Sequence, residues 1–342
     1  MEDEIKVIDI QNYWLSLFPE LKSYEELREL IQITNKNLDQ LMNEAFAENQ
    51  ESSFKDLIFT SEPSMMLYNI LSRFSETLPF CMFYRSAFNL YFNIYIEKYV
   101  ETGMISDIRV FMENVIENAY HILSNIAGRV LILQINIARM QGFLVGETPE
   151  GRFAYFSDVL LNDSDYIKGI YSNYPLLVSI MCSKIENYFT YILKILSDAK
   201  RDITDLSALS DSGNTPGKII KIVTGLGDEH NKGKTVSAVF FENGKIIYKP
   251  RSVKSEDGYK NVLHYFNNQN IAAWRRMKTL KTVGYDDHVW VEFIEHKDCE
   301  SIKDIKEFLY KNRPASCHFI HTERRRHSPR KYYCQWRTPN PH

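Results

Sequence analysis

The sequence predicts a mainly helical α+β protein, with a long helical region ahead of a smaller part that contains a β-hairpin. Three observations carry this. Apolar residues recur at spacings of three and four from Ile5 to about Asp205, the period of a half-buried helix. Past a loop at residues 207–218, where Ser, Asp, Gly and Pro cluster, the apolar period shortens towards two. There Asn243-Gly244 separates two runs rich in Val, Phe, Ile and Tyr, the strongest short hairpin signal a sequence offers.

Taken in order, Leu27, Leu30, Ile31, Leu38, Leu41 and Met42 place an amphipathic helix over residues 24–46. A longer one covers 105–140, through Val110, Val115, Ile116, Leu123, Val130 and Leu131, and Gly142 suits its C-terminal cap. Another runs over 176–196 behind Pro175, with Tyr188, Phe189 and Tyr191 as core residues. The hairpin strands occupy 234–242 and 245–250. A helix at 258–268, a strand at 288–295 and a helix at 302–310 complete the second part.

Composition bounds what such a chain can do. Of 342 residues 44% are hydrophobic and 25% charged, which excludes disorder and low complexity. The net charge of -3 gives no basic footprint for nucleic acid. Met1-Glu2-Asp3-Glu4 is acidic where a secretory signal is basic, and the longest strongly apolar stretch, residues 130–138, is far too short to span a bilayer. A cytoplasmic protein without a membrane span is expected. Cys81, Cys182, Cys299, Cys317 and Cys334 are widely spaced with no C-x-x-C pair, so neither a disulfide framework nor a zinc site is expected.

Pairing Glu242 with Lys245 across Asn243-Gly244 sets Phe240 opposite Ile247 and Ala238 opposite Lys249. One face then carries Val236, Ala238, Phe240, Ile247 and Lys249, an apolar surface ending in an ammonium. That combination suits a nucleotide, with small and apolar side chains over the base and the cation at the phosphates, as for the strand lysine of kinases. The alternative is a solvated lysine beside Pro250. Ahead of the hairpin, Asp228-Glu229-His230-Asn231-Lys232-Gly233-Lys234 puts a carboxylate and an imidazole two residues apart among cations, which suits acid/base work on a phosphorylated substrate; a polar turn between strands has the same look.

Together, that run, the strand end Tyr248-Lys249-Pro250-Arg251-Ser252 and the strand Trp290-Val291-Glu292-Phe293 resemble the dehydratase domain of class II lanthipeptide synthetases, the bifunctional enzymes of lantibiotic biosynthesis. The family pattern has Asp-x-His-Asn-x-Gly-Arg/Lys, Tyr-Lys-Pro-Arg-Ser and Trp-Val-Glu-Phe in this order at similar separations. Arg152-Phe153, Tyr174-Pro175-Leu176-Leu177 and Asp202 also have counterparts, so about residues 60–310 look related. The resemblance implies a lipid-kinase-like fold with added helices. It implies an enzyme that phosphorylates Ser and Thr of a precursor peptide with ATP and Mg2+, then eliminates phosphate to give dehydroamino acids. Phosphate binding then falls to Lys249, and the elimination step to Asp228 and His230.

The last thirty residues depart from this pattern. Residues 313–342 hold seven of the 41 basic residues, one acid (Glu323), four of nine His and Ile320 as their single branched aliphatic. Read from the second base of each codon, residues 315–341 permit the translation LLAILYILNAADIHHENIIANGEHPIL. The resembled family has at this distance an apolar helix and then Asp-x-His-x-Glu-Asn-Ile-Ile-Ala-x-Gly-x-x-Pro. The Gly is forced, because a Trp336 codon followed by an Arg codon reads GGA or GGC in the shifted frame. A frameshift near Asn312 is therefore expected. It removes the family's catalytic Asp, His and Asn and its magnesium ligands, and the zinc-dependent cyclase with them.

The expected organisation is a helical region of the dehydratase domain at 1–206, a partial kinase-like lobe at 207–312 and an out-of-frame tail at 313–342. The expected function is that of a truncated, inactive lanthipeptide dehydratase with a precursor peptide as partner. A non-catalytic helical module that binds a peptide or partner enzyme is the alternative. A nucleic-acid binder working through Arg324, Arg325, Arg326 and Trp336 is a third reading, which the frameshift removes.

Overall fold

The computed structural model describes residues 64–209, 213–269 and 279–295, with isolated positions at 23, 25, 26, 29, 299, 301–303 and 305. Most of the helices expected at 24–46 and 302–310, and the tail at 313–342, lie outside the described residues. Helices dominate up to Asp202: α1 (Met65–Phe74), α2 (Arg85–Glu101), α3 (Ile108–Met140), α4 (Pro149–Asp158), α5 (Ser164–Asn173) and α6 (Pro175–Asp202). Then follow β1 (Ile219–Val223), β2 (Ser237–Phe241), β3 (Gly244–Lys249), α7 (Lys254–Asn268), β4 (Thr282–Gly284) and β5 (Val289–Glu292). The α+β class read from the sequence is the one observed.

Local chemistry sets the helix ends. Asp107 caps α3, its carboxylate accepting from the amides of Arg109 at 2.8 Å and Val110 at 3.1 Å. At the other end Gly142 adopts φ 75° and the Phe143 amide bonds back to the Ala138 carbonyl at 2.9 Å, a six-to-one closure that only a left-handed residue allows cheaply. The helix starts three residues later than the periodicity suggests, because Ile105 instead bridges to Ile219 of β1. Pro175 opens α6 at its first position, where the missing amide costs nothing. That helix continues six residues past the expected end at 196, which brings Asp198 and Asp202 into the core.

α3 corrects one reading of the sequence. Counting a single uninterrupted apolar stretch understates it, since isolated polar residues do not end a helix: its 33 residues are long and apolar enough to cross a membrane by length and composition alone. In this fold it packs against α1, α6 and β1, burying Phe111, Met112, Val115, Leu123 and Leu131.

The core is continuous from helices to sheet. Tyr188, Phe189 and Tyr191 are buried as expected, and Phe189 stacks on Tyr99 with centroids 6.1 Å apart. The Tyr99 hydroxyl donates to the Phe189 carbonyl at 2.8 Å, so the ring is buried without stranding its polar end. Val239, Phe241, Ile246, Tyr248 and Trp290 from the strands join the same cluster.

The sheet is antiparallel, in the order β1-β2-β3-β5-β4. Its hairpin corrects a second reading. Phe241 pairs with Gly244 and Phe240 with Lys245, so the turn residues are Glu242 and Asn243, not Asn243 and Gly244. The cause lies outside the hairpin. The Glu242 carboxylate accepts from the Lys218 amide at 3.0 Å and the Ser106 hydroxyl at 2.7 Å, and the Asn243 amide donates to the Pro216 carbonyl at 2.9 Å. These bonds hold both residues against the approach to β1. The pairing slips by two residues, which preserves the faces: Ala238 now opposes Ile247, and Lys249 still shares their side. β1 and the three-residue β4 were not expected.

Candidate functional site

The sheet has a core face and a second face. Ser237, Val239, Phe241, Ile246, Tyr248 and Trp290 point to the helices. Ala238, Phe240, Ile247, Lys249 and Val291 lie on the other side, where α7 reaches Lys249 of β3 and Thr282 of β4. Lys260 of α7 donates to the Thr282 hydroxyl, and Gly284 meets Val253 so closely that a Cβ there would overlap the valine side chain.

Lys249 ends β3 on this second face, half-buried, with its Nζ donating to Oε1 of Glu256 at 2.9 Å. Arg251 donates to the same oxygen at 2.6 Å. Glu256 sits in the first turn of α7, where the helix dipole favours an anion, and is almost fully buried. Burial alone would raise its carboxyl, but the bonds from Lys249 and Arg251 outweigh that and hold it below the ordinary range. Its Oε2 is buried with no hydrogen-bond partner among the described residues. A strand-end lysine paired to a glutamate of the next helix is an arrangement kinases use to hold nucleotide phosphates. Sequence reasoning missed Glu256, although an acidic first turn a few residues after a strand lysine was visible.

Asp228 and His230 lie in the connection from β1 to β2. His230 and Lys234 close a tight turn by reciprocal backbone bonds of 2.9 and 2.8 Å. Asn231, Lys232 and Gly233 span it with φ of 42°, 65° and 84°, a left-handed run that glycine and asparagine tolerate and lysine does not favour. Glu229 pairs with Lys184 of α6, and the Gly225 amide donates to the Thr235 hydroxyl at 2.8 Å, anchoring the connection. Asp228 and His230 are exposed, and neither side chain bonds to another described residue.

The ladder places these groups at one end of the sheet. Val223 at the end of β1 opposes Ala238, Ser237 at the start of β2 opposes Tyr248, and Lys249 opposes Val289 at the start of β5. The 224–236 connection, Lys249 and the β4–β5 turn therefore share an edge, with no direct bond from Lys249 to Asp228 or His230.

Beneath that edge lies a polar network of which the sequence reading named only Asp202, Tyr248 and Trp290, as motif residues and not as partners. Oδ2 of Asp202 accepts from Trp290 Nε1 at 3.0 Å and meets His288 Nε2 at 2.7 Å, while Arg201 Nε donates to Oδ1 at 2.8 Å. His288 Nδ1 faces Asp287 at 2.7 Å. Lys194 donates to Asp198 at 2.9 Å and Asp287 at 2.7 Å, and the Tyr248 hydroxyl to Asp198 at 2.7 Å. Burial pushes Asp202 upward, but the bonds from Arg201, His288 and Trp290 prevail and keep it low; the Lys194 bond does the same for Asp287. Such linked signals, on α6, β3 and β5, are not adjacent in sequence.

Among the described residues no group of three or more His, Cys, Asp or Glu is placed to hold a metal ion. The buried thiols of Cys81 and Cys182 are pushed up by burial to about 11 and about 12, so they are packing residues and not nucleophiles.

Known proteins match this region. Residues 174–313 fit the family described as a domain of unknown function, DUF4135. Over 199 residues, 56% of this chain, the sequence is 26% identical to the lacticin 481/lactococcin biosynthesis protein LcnDR2 of Lactococcus lactis subsp. lactis. The chain spans 21% of that relative's length. Together the two matches support a relationship between this chain and the lantibiotic synthetases.

Proposed function

We propose that this chain carries the nucleotide-facing lobe of a lanthipeptide dehydratase and, as written, performs no dehydration. The observation that carries the reading is the Lys249–Glu256 ion pair at the end of an apolar strand face, on the same sheet edge as Asp228 and His230. In this reading residues 1–206 form the helical region, 207–312 the partial kinase-like lobe and 313–342 an out-of-frame tail. The match to DUF4135 ends at residue 313, beside the expected frame break, and at its other end reaches back to residue 174, across the boundary at 206. Its substrate is a lanthipeptide precursor, and its place is the cytoplasm, where ATP is held.

The residues present fit a nucleoside triphosphate: the partly exposed Phe240 and Ile247 offer apolar surface for a base, and Lys249, oriented by Glu256, offers a cation for its phosphates. ATP, when bound, supplies the phosphoryl group. In the second half-reaction a base removes the proton at Cα, its electrons form the double bond to Cβ, and phosphate leaves with the Cβ–O pair. Asp228 and His230 are the acid/base groups available for that step. The described residues do not offer a set of Mg2+ ligands, so no step here runs through the metal.

Mass spectrometry of a cognate precursor incubated with the purified chain, ATP and magnesium tests the proposal. Neither phosphate addition nor loss of water is expected. After the frame is restored the peptide should lose one water per modified Ser or Thr, and Asp228→Asn or His230→Ala in that protein should let phosphopeptide accumulate. Dehydration by the chain as written would refute the inactive reading; a frame-restored protein that never phosphorylates peptide would refute the dehydratase reading.

A further inference from the structure

The buried network under the β3–β5 edge has no role in the chemistry proposed above, and it is costly to build. Asp198, Asp202 and His288 are each at most 3% exposed. Apolar side chains of similar size would join α6 to the sheet without the desolvation penalty of buried charge, so packing alone does not account for the choice. What the polar groups add is fixed geometry. His288 lies between the rings of Tyr248, 5.4 Å away, and Tyr285, 4.7 Å away, both close to parallel with it. Each imidazole nitrogen faces a carboxylate oxygen at 2.7 Å, and both contacts are hydrogen bonds only when both nitrogens carry a proton.

The charges agree. From α6 the ring meets Asp202, Asp198 and Arg201, from β3 Tyr248, and from its own turn Asp287 and Tyr285, whose hydroxyl donates to Asp205. Three carboxylates, Asp198, Asp202 and Asp287, face two fixed cations, Lys194 and Arg201. His288 sits between the two sets, its Nε2 3.2 Å from the Arg201 guanidinium as well as beside Asp202.

The network grips the two residues that flank one ladder pair. Tyr248 is bonded to Asp198, and His288 to Asp202; their chain neighbours Lys249 and Val289 oppose each other. Because alternate residues of a strand point to opposite faces, holding Tyr248 in the core aims Lys249 outward at a set position. We infer that Asp202 and His288 are positioning residues that set Lys249 against Glu256, through β3 and β5, without touching a ligand. The inference rests on the reading of Lys249 as a phosphate-binding lysine for its purpose, but not for its test.

The test is amine labelling of the full-length chain with an acylating reagent, the rate at each lysine read by mass spectrometry. Wild-type Lys249 should label slowly, held by Glu256. In Asp202→Asn and His288→Gln it should label about fivefold faster, the loss of roughly 1 kcal/mol of local order, while Lys168 on α5 keeps its rate. Asp287→Asn, at a half-exposed position that folding tolerates, should give a smaller increase in the same direction and serves if the core variants do not fold. In Asp202→Glu, which keeps the carboxylate, the Lys249 rate should stay near that of the wild type. An unchanged Lys249 rate in the folded variants, or labelling in a folded Asp202→Glu as fast as in Asp202→Asn, overturns the inference. ATP titration of the same samples separates the two readings: labelling that responds to the variants in a protein that ignores ATP removes the nucleotide reading and leaves the positioning one standing.

Discussion

The two faces of the small sheet hold similar side chains to opposite ends. Towards the helices, Asp198, Asp202, Asp287, Lys194, Arg201 and His288 spend their charges on one another, and Trp290 and Tyr248 spend their polar atoms on the same carboxylates. At the edge of the other face, Lys249 is partly open at 22% and shares one glutamate oxygen with Arg251, while Asp228 and His230 stand exposed in a backbone-anchored turn. A carboxylate and an imidazole therefore mean structure in one place and available chemistry a short distance along the same edge. Burial and partners make that distinction, not residue type.

Breaking the buried side should have the larger effect. Asp202→Ala strips the partner from Arg201, His288 and Trp290 at once, and removing one member of a buried charged set costs about 3–5 kcal/mol. Urea denaturation followed by circular dichroism measures it, and a loss under 1 kcal/mol would mean that the network is ornamental to stability.

Acid separates the same groups by degree. Asp202, Glu256 and Asp287 all titrate below their ordinary values in the folded chain, so the unfolded chain binds more protons as pH falls. Their stabilisation is complete above the reference values of 3.8 and 4.5 and disappears as pH drops through the lowered folded ones. Denaturation midpoints recorded downward from pH 6 should fall, and Glu256→Gln should flatten part of that slope. A midpoint that rises on acidification would reverse the sign of the whole electrostatic account.

The exposed side should give the smallest response. Asp228→Ala and His230→Ala remove no bond to a described residue, and each should change stability by less than about 0.5 kcal/mol. Thermal melts of the two variants sharpen the comparison, because a larger loss would move these residues from the chemical side to the structural one.

How far this division could be read from sequence depends on whether its causes are local. The helices placed at 105–140, 176–196 and 258–268 came through to within six residues, since the 3.6 period, Pro175 at a first turn and Gly142 at a cap act over one or two turns of chain, whereas α1, α2, α4 and α5 were read only as part of one helical region. The hairpin was legible, but its turn was not, because Glu242 answers to Lys218 and Ser106, partners that no local rule sees. The faces survived because the slip was even. Lys249, Asp228 and His230 stood out through their motifs, whereas Glu256 and His288 acquire meaning only when α7 folds back on β3 and α6 passes under β5. Three residues of β4 give a period-two pattern nothing to repeat over.

The central claim is that the strand-end lysine faces a nucleotide's phosphates, and protection of that one amine tests it most directly. The full-length chain, labelled with an acylating reagent with and without ATP, should show Lys249 slowed by the nucleotide, with Lys168 unaffected and the protection lost in Glu256→Gln, where the ammonium is no longer held in place. Equal labelling of Lys249 with and without ATP, or protection spread evenly over remote lysines, would contradict the account.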